Sequence, residues 1–122
     1  MPDAADLGIE FVREPISIAH LRTAAEDVFG DLIKAVVDLE RGIMAIGGEL
    51  HADEEAVLLD DGSLQADLWG INLYPDSFGE PEFVEFDSMI NVRPRVGNRS
   101  RSVEDEALRQ RILQVVERLV ES

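Results

Sequence analysis

Apolar and polar positions change rhythm several times along the chain, and each change predicts an element. Ile9 and Phe11 alternate with polar neighbours ahead of Pro15, the pattern of a short edge strand. Ile18, Leu21, Ala25, Val28 and Phe29 then recur at helical spacing and form one stripe. Ser17 precedes them as an N-cap, and Gly30 follows as a residue able to take positive φ, so a helix is expected over about 18–29.

The period next drops to two. Ile33, Ala35, Val37 and Leu39 alternate with Lys34, Val36, Asp38 and Glu40, which fits a half-buried strand. Arg41-Gly42 supplies a turn, Ile43–Ile46 a second strand, and Gly47-Gly48 its end, so this region reads as a β-hairpin. One long helix over 18–46 competes with that reading, but Gly30, Gly42 and the β-branched run oppose it. The stretch 51–62 supports two readings. Its early acids and Gly62 fit a short helix over about 53–60, whereas Asp60 and Asp61 would face the negative end of the helix dipole and leave a strand open.

A second hairpin follows, with Trp69, Ile71 and Leu73 on one face of one strand and Val84, Phe86, Ile90 and Val92 on one face of the next. Pairing Leu73 with Val84 and Ile71 with Phe86 places Trp69 opposite Ser88, whose small side chain leaves room for the indole. Asn72, Tyr74, Glu85, Asp87, Asn91 and Arg93 make the opposite face polar. Ser102-Val-Glu-Asp105 has the form of a capping box, and Leu108, Ile112, Val115, Val116 and Leu119 share one face of a helix over about 103–120. Together these elements make one α+β domain over 1–122, with a flexible N-terminus of about 1–7. Amphipathic helices would pack mainly on one face of an antiparallel sheet of about four strands, the two hairpins. The expected core includes Leu21, Phe29, Val37, Ile46, Trp69, Ile71, Phe86, Ile90, Ile112 and Val116.

Composition narrows the chemistry. The chain has no cysteine, which excludes disulfides, thiolate metal sites and cysteine nucleophiles. No signal-peptide pattern begins it, and no apolar run approaches the ~20 residues that span a bilayer, so a cytoplasmic protein without membrane contact is expected. Twenty-six acids against eleven bases give a net charge of −15, which repels nucleic acid and anionic lipid and excludes general nucleic-acid binding.

Four of the eleven bases nevertheless crowd into Arg93–Arg101. Arg93, Arg95, Asn98, Arg99 and Arg101 form the leading candidate site, for a small anionic ligand or an acidic partner surface, including the acids of a second copy in a homo-oligomer. The competing reading is that these arginines pair with the protein's own carboxylates. A second candidate, a divalent-cation binder or small carboxylate/His enzyme, centres on His51, Asp53 and Glu54 among nearby acids. The EF-hand spacing is missing around Asp60-Asp-Gly62, there is no phosphate-binding P-loop, and no Gly-x-Ser-x-Gly elbow serves either histidine. Glu85 and Asp87 share a strand face, a commonplace arrangement. No cofactor and no catalytic residue follow from these patterns, and whether the chain is an enzyme stays open.

Three segments carry a resemblance: Gly47-Gly-Glu-Leu-His-Ala-Asp53, Asp67-Leu-Trp-Gly-Ile-Asn-Leu-Tyr-Pro75, and Ile90-Asn-Val-Arg-Pro-Arg-Val-Gly-Asn-Arg-Ser-Arg101. They resemble an uncharacterised family of small prokaryotic proteins, a domain of unknown function, over roughly residues 15–120. The resemblance implies a compact domain and brings no activity or site residues.

Overall fold

Two alternating stretches in the middle of the chain build the centre of the sheet. A computed structural model describes residues 3–122. β1 (Glu10–Val12) and β2 (Ile16–Ser17) lead into α1 (Ile18–Glu26), and the hairpin β3 (Ile33–Asp38) and β4 (Ile43–Ile46) follows. The hairpin pairs Val37 with Met44 and Ala35 with Ile46. Asp38 closes its turn, its Oδ1 accepting the N–H groups of Glu40 and Arg41 at 3.0 Å each, and Gly42 takes a φ of +65° that other residues resist. After α2 (His51–Asp60), β5 (Leu68–Leu73) runs antiparallel along the other side of β3, with Trp69 opposite Val37. β6 (Val84–Glu85) adds to the end of β5, α3 (Glu106–Leu119) crosses the sheet, and β7 (Val120–Glu121) ends the chain. The fold is α+β, and the antiparallel sheet has five strands in the order β1-β4-β3-β5-β6, against about four expected.

α1 and α3 cover one sheet face, burying Leu21, Ala25, Ile112, Val116 and Leu119 against Ala35, Val37, Trp69 and Ile71. α2 covers the other face with Val57 and Leu58 against Val36, Ala45 and Leu68. The alternation in β3 therefore separates two cores, not a core from solvent. The open stretch resolves as a helix, and the awkward Asp61 beside its C-terminus is explained by two cations. Its Oδ2 accepts from Arg41 at 2.7 Å and Arg13 at 2.9 Å, which holds the carboxyl below its ordinary range.

Several boundaries move. α1 ends at Glu26, and the Gly30 N–H returns to the Ala25 carbonyl with φ +93°. Phe29 lies outside the core, exposed, with the Lys34 ammonium 5.4 Å from its ring centre. α3 begins at Glu106, because Asp105 and not Ser102 caps it, accepting from Ala107 N and Leu108 N. The Ser102 hydroxyl instead accepts from Arg109 at 2.7 Å. β7 pairs in parallel with β2, pinning the end of α3 beside the start of α1. Residues 1–2 of the expected flexible N-terminus lie outside the described residues. From Asp3 the chain turns, Ile9 N donates to Ala4 O at 2.8 Å, and Ala4 and Leu7 pack against the α2-side core.

The second hairpin starts as expected, with Leu73 opposite Val84, but its ladder stops at Asn72–Glu85. Residues Met89–Asn91 form a single tight turn instead of a strand. Phe86 then packs towards the α1/α3 core and Ile90 towards the α2 core, each only half-buried. Ser88 meets Gly70 and not Trp69: a Cβ placed on Gly70 would lie 2.5 Å from the Ser88 Cβ. Gly70→Ala is expected to destabilise by about 1–3 kcal/mol in urea unfolding, and Gly70→Ala with Ser88→Gly to recover most of that loss.

Candidate functional site

Because β6 pairs only with Asn72 and Leu73, residues 68–71 of β5 have no neighbouring strand among the described residues on the side away from β3. Side chains from 91–93 take its place. The Asn91 carboxamide accepts the Gly70 N–H at 2.8 Å and donates to the Gly70 carbonyl at 2.9 Å, the pair of bonds a strand residue would make. Arg93 donates to the carbonyls of Leu68 and Ile90 and lies over the Trp69 ring, 4.5 Å from its centre. This partial burial pulls its guanidinium below the ordinary arginine value, a shift opposed by nearby Glu55, and leaves it charged.

The loop beyond is closed by backbone bonds between Arg93 and Asn98, with a tight turn over Pro94–Val96 and Gly97 at φ +86°. Asn98 is its internal fastener. Its buried carboxamide donates to the carbonyls of Asn91, Ser102 and Ser100, at 2.7, 2.7 and 3.2 Å, and accepts Glu104 N at 2.9 Å. The loop's own anion seat is filled from within: the N–H groups of Ser100 and Arg99 both donate to Glu104 Oε2 at 2.8 Å. Those bonds hold the Glu104 carboxyl below its ordinary range.

The five candidate residues therefore separate. Asn98 is consumed by the loop, and Arg101 pairs with Asp87 at 2.7 Å on the far side. Arg95 and Arg99 are exposed, and among the described residues their side chains form no ion pair. Of the four arginines, Arg93 alone lines a cavity of about 510 Å³ between the loop and α3, with Asn98, Trp69, Leu39, Val96, Leu108 and Arg111. Arg111, which the sequence reading passed over as a surface residue of the amphipathic helix, brings a second guanidinium with no ion pair among the described residues. Asp67, Glu104 and Asp105 complete the wall. Glu104 and Asp105 already accept backbone N–H groups, whereas Arg93 and Arg111 keep donors to spare.

The second candidate does not gather. His51 Nε2 donates to the Ile71 carbonyl at 2.8 Å, and burial, partly opposed by that bond, lowers its pKa. Asp53 lies at the first turn of α2, half-exposed, while Glu54 is fully buried and accepts Gly48 N at 3.0 Å through Oε2. Among the described residues no three His, Asp or Glu side chains are placed to hold a metal ion.

Two outcomes follow from these environments. Asn98→Asp sets a carboxylate oxygen against three carbonyl oxygens and is expected to cost about 2–4 kcal/mol in denaturant unfolding. Glu54 has its pKa raised well above the ordinary carboxyl value by burial, and its Oε1 has no hydrogen-bond partner among the described residues. The folded state therefore holds this proton more tightly than the unfolded chain, so stability falls as pH rises from the unfolded pKa towards the folded one. Melting temperatures measured across that rise should decline less steeply for Glu54→Gln than for the native chain.

No curated protein and no solved structure matches the chain. One family, described as a protein of unknown function (DUF5674), matches residues 10–119 and so contains the β5 edge, the arginine loop and all of α3. The chain belongs to the DUF5674 family.

Proposed function

We propose that this protein is a one-domain cytoplasmic binding module that takes a small anion, a carboxylate attached to an apolar or flat body, into the cavity between the arginine loop and α3. Arg93 and Arg111 hold the carboxylate, and Trp69, Leu39 and Leu108 supply apolar surface for the body. Arg95 and Arg99 steer it from the exposed loop. The observation that carries this reading is the division of hydrogen bonds on the wall: two of its three acids each have one oxygen held by two backbone N–H groups, while the guanidiniums retain unused donors. Arg93 is also fixed before any ligand arrives, by two carbonyls and the indole, so little ordering entropy opposes binding. A cavity of this size falls within the range of ligand sites, about 300–1,000 Å³. With Arg93 and Arg111 against Asp67, Glu104 and Asp105, the wall has a formal charge of 2 − 3 = −1. Directed donors, not a broad positive field, must therefore select the ligand.

Calorimetric titration and thermal shift with benzoate, acetate and inorganic phosphate test this. Benzoate is expected to bind best, stabilising by about 2.7 kcal/mol at a hundredfold excess over Kd. Arg111→Gln should lose about tenfold in affinity while keeping the native melting temperature, as suits an exposed guanidinium without an ion pair. Arg101→Gln, which breaks only the Asp87 pair, should bind normally. Equal binding by Arg111→Gln, or no response to any anion, overturns the reading. Solution mass at low and high salt separates the form in which acids of a second copy enter the cavity, since that assembly dissociates as salt rises.

A further inference from the structure

We propose that the groove between β6 and α3 binds an extended peptide in which an apolar side chain is flanked by Lys or Arg. The groove is a cavity of about 550 Å³. Phe83 and Val116 form its buried floor, and Phe86 and Leu113 its half-buried walls. An apolar side chain seated there would leave water for a surface that is mostly hydrocarbon.

The wall also holds an open peptide group. Tyr74 N donates to the Phe83 carbonyl at 2.9 Å, and Val84 is opposite Leu73. In an antiparallel ladder, residues that turn their N–H and C=O towards the neighbouring strand alternate with residues that turn them away. Phe83 and Glu85 face β5, so Val84 presents its N–H and C=O outward from the sheet, and Val84 lines the groove. β6 is the edge strand, with no further strand beyond it. An incoming extended segment can take both bonds, with its next side chain pointing into the apolar floor.

Charge fixes the flanks. Glu80 and Glu117 border the groove, and among the described residues neither has an ion pair. They attract basic neighbours of the docking residue and repel acidic ones. This surface is independent of the anion cavity, which uses Leu108 and Arg111 on the opposite flank of α3, whereas the groove uses Leu113 and Glu117.

The test is a titration of the full chain with a short capped peptide of alternating lysine and leucine, followed by amide NMR, with its glutamate–leucine counterpart as control. The lysine peptide should bind saturably and slow hydrogen exchange at the Val84 amide about tenfold or more. The glutamate peptide should not bind. Glu117→Gln should weaken binding about threefold, the size of one exposed ion pair. Leu113→Lys, on the half-exposed flank of α3, should abolish it without loss of fold. Binding that leaves Val84 exchange unchanged, or survives Leu113→Lys, means attraction to the acidic surface alone and overturns the proposal. So does a Val84 amide already protected without peptide in a concentration-dependent way, which would assign the groove to a second copy. A response to phenethylammonium but not to the peptide assigns it to small amines and overturns the proposal equally.

Discussion

The contact between Asn91 and Gly70 governs how the second half of the chain is arranged. β5 is next to the edge of the sheet, and among the described residues the outer side of residues 68–71 has no strand beside it. An unmade buried backbone bond costs about 1–3 kcal/mol, so those groups need partners. A carboxamide has the donor and acceptor of a peptide group, and Asn91 uses both on Gly70. The approach is close enough that Gly70 has no room for a Cβ beside Ser88. With Asn91 fixed, Arg93 falls over Trp69, and Asn98 ties the returning loop to the Asn91 carbonyl. The wall of the cavity beside Arg93 is thus set by a repair to the sheet edge.

That repair also explains why alternation misleads beyond Glu85. Val84, Phe86, Ile90 and Val92 look like one face of a strand, but an apolar side chain recurring at every second residue records only that it is buried. Phe86 and Ile90 satisfy the pattern by packing into different cores on the two sides of the sheet edge. Where each face meets one core, as in β3, β4 and β5, alternation located the strands, although it read β3 as half-buried where both its faces are covered. The start of α3 was placed too early for another reason: the capping-box pattern put the cap at Ser102, whereas Asp105, also a cap-forming residue type, takes that role. Val103 is fully buried and Glu104 N is drawn to Asn98 Oδ1, so helical geometry begins only after them. The two-residue strands β2 and β7 are too short to carry any pattern.

The arginine cluster was visible as charge, but its fate was not, because counting charges does not say where donors point. Asn98 looked like a polar ligand contact and is a loop fastener. Glu104 looked like part of a capping box and fills the loop's anion seat. Arg111 gave no signal, since one of three arginines on an amphipathic helix is ordinary, and only the fold places it across from Arg93.

A single habit links these cases: many charged side chains here bond to backbone, not to each other. Arg93, Arg109 and Arg118 donate to the carbonyls of Leu68, Val103 and Gly42. Asp38, Glu54, Glu104 and Asp105 accept backbone N–H groups. A guanidinium bonded to a carbonyl closes an orphan acceptor yet keeps its full charge, whereas one paired with a carboxylate, as Arg101 is with Asp87, loses most of its field. The fixed arginine of the loop therefore keeps its charge in a chain of net charge −15, because it is held by neutral groups. Among the described residues Glu80 and Glu117, beside the opposite flank of α3, have no ion pair, so one flank of the helix presents guanidinium donors and the other presents carboxylates.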